Sequence, residues 1–229
     1  MLPGPLPPQT RRRIIRDGVG VGIATGAYGI SFGALGVAAG LGVGQTCALS
    51  LLMFTGASQF AFVGVLASGG APVSGALTAL LLGVRNGLYG MRLSRSLGYV
   101  GWRRALAAQL VIDESTAMAV TRETPEEART GFVATGLAVF VCWNLATLLG
   151  AVAGQGLGDP RDYGLDAAVG AAFLALLWPR LRRPVDRVAA ALAVALALGL
   201  VPLAPAGVPV LAAAAVAFVV GGSSGRRRA

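Results

Sequence analysis

A chain of 229 residues that is 55% hydrophobic and only 13% charged, with mean hydropathy +0.71, cannot cover itself with a water-compatible surface. A soluble domain is excluded and an integral membrane protein is indicated. The net charge of +9 rests on 19 arginines, with no lysine and no histidine. They stand in ones to threes between apolar runs, a pattern that orients a chain against a bilayer and does not build the continuous basic face that nucleic acid needs.

In chain order, residues 1–17 read as a proline- and arginine-rich cytoplasmic tail that is retained, because the apolar core and small-residue cleavage site of a secretory signal are lacking. Residues 18–222 read as a single transmembrane domain and 223–229 as a basic C-terminal tail. The fold class is an all-α, polytopic bundle of about eight spans, with seven as the alternative. The expected spans lie near 19–43, 46–68, 72–93, 104–121, 131–154, 164–179, 185–203 and 207–222. An even count puts both termini on the cytoplasmic side with Arg122, Arg129, Arg180, Arg182, Arg183 and Arg187. It leaves Arg92, Arg95, Arg103 and Arg104 on the wrong side, which calls for a broken or re-entrant segment between 72 and 104, or for an odd count.

Within the first span, Gly22, Gly26, Gly29, Gly33, Gly36, Gly40 and Gly44 form small-xxx-small spacings for close helix packing. Ser31, in "SFGALG", stands where the helix could loosen. The alanine, leucine and valine of 190–222 have packing or lipid contact as their only use.

Polar side chains interrupt the apolar runs at four places: Thr55, Gly56, Ser58 and Gln59 in "FTGASQ"; Arg85, Asn86 and Tyr89 in "GVRNGLYG"; Asp113 and Glu114 in "LVIDESTAM"; and Trp143, Asn144 and Thr147 in "VCWNLATLLG". A charge at the bilayer centre costs about 2.5–3.5 kcal/mol on the insertion scale and is retained when paired or facing a wet cavity. Arg85 is therefore expected to pair with Asp113 or Glu114. The bland alternatives are an ion pair that only sets helix register, and hydroxyls bonded back to their own helix. Glycines beside these polar groups point instead to helices broken or re-entrant near 54–60 and 83–90, the way transporters expose amides and carbonyls to a substrate. On that reading Thr55, Gly56, Ser58, Gln59, Arg85, Asn86 and Tyr89 are substrate-binding residues. Asp113 and Glu114 are proton-coupling residues, and Ser31, Trp143 and Asn144 belong to a secondary pathway. With no histidine, carboxylates are the side chains left to carry a proton.

Enzymatic function is not expected. A serine nucleophile has no histidine base here, and "GLGD" at 156–159 lacks the matching Tyr-Asp of an aspartyl intramembrane protease. Cys47 and Cys142 lie in separate apolar runs without metal or disulfide spacing, so they read as small buried hydrophobes and no metal or cofactor is expected.

The blocks "FTGASQFAFVGVLASGGAP", "LLGVRNGLYGMRLS", "LVIDESTAMAV", "CWNLATLLGAVAG" and "LGDPRDYGLDAAVGAAFLALLWPRLR", in this order, resemble the AzlC family over about residues 18–183. AzlC proteins are the large subunits of two-component branched-chain amino-acid exporters. The resemblance implies a bacterial inner-membrane location, export of valine, leucine, isoleucine and related amino acids, and a small AzlD-type membrane partner. Asn86 stands where relatives commonly have histidine, and Ser31-Phe32-Gly33 where relatives often have Pro-Phe-Gly. The expected function is thus an export subunit for branched-chain or other hydrophobic amino acids, coupled to protons. The alternative from another class is a non-transporting assembly or sensor subunit of the membrane.

Overall fold

The computed structural model describes residues 6–156 and 181–204, with positions 174, 177, 178, 208, 209 and 211–216. The spans expected at 164–179 and 207–222, with Arg161, Arg180 and the tail 223–229, lie wholly or largely outside these residues.

The described chain is helical: α1 (Pro8–Gly26), α2 (Gly29–Ala38), α3 (Val43–Leu52), α4 (Ala57–Ala67), α5 (Pro72–Leu97), α6 (Gly101–Gln109), α7 (Asp113–Val120), α8 (Pro125–Gly156) and α9 (Pro184–Leu200). Proline opens α1, α5, α8 and α9, where its missing N–H forfeits no helical bond.

The 32-residue α8 is the axis. Helices α1 and α2 lie along it in parallel. Gly18 faces Thr135, Gly22 faces Ala138, Gly26 faces Cys142, Gly29 faces Ala146 and Gly33 faces Thr147, so residue numbers climb together. A Cβ at Gly33 would collide with the Thr147 carbonyl and the Ala151 amide, so the glycine stripe is there for backbone approach. The helix is offset at Ala27–Tyr28 and runs unbroken through "SFGALG". Ser31 lies on its exposed side.

Helix α3 then runs back along α8. Thr46 packs on Gly36, Ser50 Oγ donates to Thr147 Oγ1 at 3.3 Å, and the Phe54 ring meets Phe140 edge-on at 5.0 Å. After Met53–Gly56 the chain reverses. Gln59 reaches back to the carbonyls of Leu49 and Ser50, Phe60 lies against Phe32 and Trp143, and Phe62 packs on Gly75 near the start of α5. Helices α3 and α4 therefore form a hairpin that enters and leaves by one end of the bundle.

The 26-residue α5 runs antiparallel to α8 and brings Leu93 and Leu97 to Ala128 and Phe132, where Arg129 Nε donates to the Leu97 carbonyl at 2.6 Å. From that opposite end α6 climbs until Gln109 Nε2 donates to the Leu51 carbonyl at 2.7 Å. The chain turns at Leu110–Ile112, and α7 descends past Gly136, which faces Leu110, to Gly131, which faces Met118. A second hairpin, α6–α7, thus enters from the end opposite to the first, and the two tips meet about halfway along α8.

This arrangement corrects two expectations. The stretch 83–90 is not broken: α5 is continuous, because its glycines are spaced singly among good helix formers and Pro72 lies at its start. The second break is at Leu110–Ile112, where Ser115 takes the backbone bonds that a continuing helix would make. The segments 46–68 and 104–121 are hairpins and not single spans. Among the described residues two stretches, Pro8–Ala38 and Pro125–Gly156, are long and apolar enough to cross a membrane, fewer than the spans expected there. In addition, α1 begins at Pro8, so Arg11, Arg12, Arg13 and Arg16 ride on its first turns and not in a tail that ends at 17.

The hairpins also regroup the charges. Ile14 packs near Gly131 and Leu97 near Arg129, so the start of α1, the end of α5, the start of α6 and the start of α8 share one end. Arg11, Arg12, Arg13, Arg16, Arg92, Arg95, Arg103, Arg104, Arg122 and Arg129 all lie there. The opposite end, with loops 39–42 and 68–71, carries no charged residue from 6–156.

Two apolar clusters hold the bundle. One, around Phe32, Leu35, Phe54, Phe60, Val63, Ile112, Val139 and Trp143, fills the uncharged half and packs beneath the first tip. Each edge-to-face pair in it adds about 0.5–1.5 kcal/mol beyond burial. The other, around Leu93, Leu97, Val111, Ala119, Ala128 and Phe132, fills the arginine half. Helix α9, where a span was expected at 185–203, buries none of its residues.

Candidate functional site

Both tips are built by the same local rule. Gly56 adopts φ 66°, a left-handed conformation that glycine enters without the cost a Cβ would bring, and its N–H is capped by Gln59 Oε1 at 3.1 Å. At the other tip the Ile112 N–H is capped by Ser115 Oγ at 3.2 Å, and the same hydroxyl donates to the Leu110 carbonyl. In each case a polar side chain three residues on satisfies the amide freed by the break. The N-termini of α4 and α7, with their partial positive charge, are thereby brought to the middle of the bundle from opposite directions.

Arg85 of α5 ties the tips together. Its Nη1 lies 2.7 Å from Asp113 Oδ2 at the first position of α7, and its Nη2 donates to the Thr55 carbonyl at 3.4 Å. The neighbouring Asn86 Nδ2 donates to the Val111 carbonyl at 3.0 Å. The Arg85–Asp113 pair is partly accessible, with side-chain exposures of 25% and 32%. Of the two carboxylates open to Arg85 in the sequence, Asp113 makes the ion pair; Glu114, the next residue, is half-buried and has interactions of its own.

The other expected site residues divide. Ser58 is 1% exposed; its Oγ has no hydrogen-bond partner and lies on the side facing Gly83 of α5. Arg85 Nε and Asn86 Oδ1 are likewise buried without partners. Thr55 Oγ1 is taken by the Met53 carbonyl. Gln59 is fully buried, with both ends of its amide on hairpin backbone. Tyr89, one turn beyond Arg85, packs at the edge of the Leu93–Phe132 cluster and has interactions of its own. Trp143 lies in the aromatic cluster with its Nε1 unpartnered, and Asn144 Nδ2 bonds back to the Phe140 carbonyl at 2.8 Å.

The sequence reading passed over Gln109 and Ser115. Gln109 connects the two hairpins, and its carboxamide in an otherwise apolar run needed partners as plainly as that of Gln59 did. Ser115 holds the second tip, and the signal was its spacing of three from Ile112. Cys47 and Cys142 are free thiols on different helices, half-buried and not in the core. Among the described residues no three His, Cys, Asp or Glu side chains gather as metal ligands.

Helices that stop at mid-bundle, with a charged pair where the stops meet, are an arrangement that membrane transporters use. The chain belongs to the AzlC family: the family described as AzlC protein matches residues 20–157, which cover α2 to α8, both hairpins and the last turns of α1. Its composition and helix pattern accord with the membrane transport role of that family. No curated protein and no solved structure matches the chain.

Proposed function

We propose that this protein is the large subunit of an inner-membrane exporter of branched-chain or other hydrophobic amino acids, working by exchange with protons. The observation that carries the proposal is Arg85, which holds the Thr55 carbonyl of one hairpin and the Asp113 carboxylate of the other. An amino-acid zwitterion is complementary to that pair when it is split. Its carboxylate takes Arg85, with the Ser58 hydroxyl and the free amides at the α4 N-terminus beside it, and its ammonium takes Asp113. Two charge-assisted contacts replace one, and the net charge of the site does not change. A proton on Asp113 and the substrate ammonium compete for one carboxylate, so the site holds one or the other. That is the condition for exchange. Phe54 and Phe60 supply apolar surface for the aliphatic side chain, while Gln59 keeps the first tip in shape.

In a bilayer α1–α2, α5 and α8 cross, and the hairpins re-enter from opposite faces with their polar tips inside the protein, where irregular backbone is tolerated. The arginine end faces the cytoplasm, bringing the N-terminus there, and Arg92, Arg95, Arg103 and Arg104 no longer conflict with the charge rule. A small AzlD-type membrane subunit completes the exporter.

The test uses cells without their own exporters, fed a valine-containing dipeptide, with extracellular valine followed over time. Efflux is expected when this chain is joined by the small membrane protein encoded beside it, and Asp113→Asn is expected to bring efflux to background while membrane insertion persists. Net uptake would overturn the direction. Near-normal efflux from Asp113→Asn would remove the carboxylate from the mechanism.

A further inference from the structure

An open groove runs beside the tips on one side of the bundle, and the other side is filled. A cavity of about 280 Å³ at the tips is lined by Thr55, Asn86, Gln109 and their neighbours. A second, of about 230 Å³, lies between the last turns of α5 and helix α6, with Arg104 as its charged lining residue. Gly87, Gly90, Ala108 and Val111 line both, so the two are contiguous and form one open hollow from the arginine end to Thr55 and Asn86. A Cβ at Gly87 or Gly90 would meet no atom within 4 Å, which leaves α5 open at this turn. Towards the uncharged end the way is closed. Phe54 seats on Phe140, and Phe32, Phe60 and Trp143 stack with centroid separations of 5.7–6.1 Å.

We infer that this hollow is the access route of the amino acid from the arginine end to Arg85, that Arg104 at its mouth positions the incoming carboxylate, and that the aromatic cluster is the closed gate to the other side. The inference rests on the transport reading above and gives the site a side. The lining suits a zwitterion with an aliphatic tail: Met91, Leu97 and Val111 accept the tail, and a single guanidinium at the mouth orients the carboxylate without trapping the whole molecule. No carboxylate lines either cavity, so the ammonium finds its partner only on arrival at Asp113.

Thiol accessibility tests the route without relying on transport. In full-length protein with Cys47→Ser and Cys142→Ser, Ser94→Cys and Gly90→Cys are expected to react with a charged, water-soluble thiol reagent in inside-out vesicles and not in right-side-out ones. Gly44→Cys at the uncharged end is expected to show the reverse. Saturating valine should slow labelling at Gly90→Cys. Labelling by a lipid-soluble maleimide alone would mean that the hollow holds acyl chains, and it would overturn the route. Labelling that valine does not slow, in a protein that still exports valine, would overturn the route and leave the transport reading standing. Separately, Arg104→Gln is expected to raise KM roughly three- to five-fold, the scale of an exposed charge contact, with kcat unchanged and Arg104→Lys restoring KM. A fall in kcat at unchanged KM would reduce Arg104 to a structural role.

Discussion

The two hairpins share a plan and differ in how firmly they are held. Helix α4 buries Ser58, Gln59, Phe60, Ala61, Val63 and Val65, and its tip is held by Gln59 and the aromatic cluster. Helix α6 buries none of its residues, and its hairpin is held mainly by α7 against α8 and by the Arg85–Asp113 pair. The first hairpin is uncharged at its tip, and the second carries both acidic residues of the site. Stability is not uniform across a fold, and moving elements come from the loosely packed end. The contrast makes the first hairpin the fixed wall of the site and α6, with its tip, the part whose position answers to charge.

The sharpest way to break that contrast is to remove the tie. Arg85→Gln leaves Asp113 without its cation and Thr55 without its donor. It is expected to abolish efflux and to destabilise the protein by roughly 1–3 kcal/mol, below the 3–5 of a fully buried pair because both side chains keep partial access. Adding Asp113→Asn should recover much of the stability and none of the efflux. Equal instability of the single and double variants, read from thermal inactivation in detergent, would argue against direct coupling.

Next in size is Gln59→Leu. The leucine fits the volume and deletes the cap on the Gly56 N–H along with the reach to Leu49 and Ser50, so the Gly56 N–H and the Ser50 carbonyl lose the Gln59 amide while the Leu49 carbonyl keeps the Met53 N–H. A loss of about 1–2 kcal/mol is expected. Since the first hairpin is the wall, KM for valine should rise while the proton dependence of efflux persists. A variant as stable as the parent would show that the aromatic cluster alone holds the tip. Gly56→Ala should follow at about 1–2 kcal/mol, the cost of a Cβ in the left-handed region. No comparable penalty is expected from an alanine at Leu110, since the second tip contains no positive-φ residue.

The same contrast explains what could be read from the residues and what could not. Helix content, the membrane class, the packing use of the glycines and the need of Arg85 for a carboxylate at 113 or 114 were legible, because each follows from a local cost: apolar surface, close approach, an unpaired charge in hydrocarbon. The break at Gly56 was legible because a glycine, two hydroxyls and a carboxamide interrupt an apolar run. The break at Leu110–Ile112 was not, since "LVI" is a good helical or strand sequence and the turn is enforced from outside it by Ser115 and by Asn86 on another helix. Hydropathy also counts a helical hairpin as a span: "VGQTCALSLL" and "ASQFAFVGVLA" are greasy enough together, and only their tertiary contacts show that the chain reverses. The four arginines from 92 to 104 held the missing information, since a charge pattern that cannot be reconciled with simple crossings points to a segment that does not cross.

The smallest effect should come from Gln109→Leu, and it bears most directly on which hairpin moves. Gln109 is exposed, and its bond to the Leu51 carbonyl joins the end of α6 to the end of α3. Interhelical hydrogen bonds in membrane proteins average about 0.6 kcal/mol, so thermal inactivation should shift only slightly. If α6 must leave α3 during transport, this bond is broken in every cycle, and its removal lowers the cost of that step. The turnover of the Gln109→Leu variant is then expected to equal or exceed that of the parent, by up to about three-fold if opening is rate-limiting, since 0.6 kcal/mol is about that factor in a rate. A loss of efflux as complete as that of Asp113→Asn would mean that the two tips travel as one body. The division into a fixed and a moving hairpin would then fall.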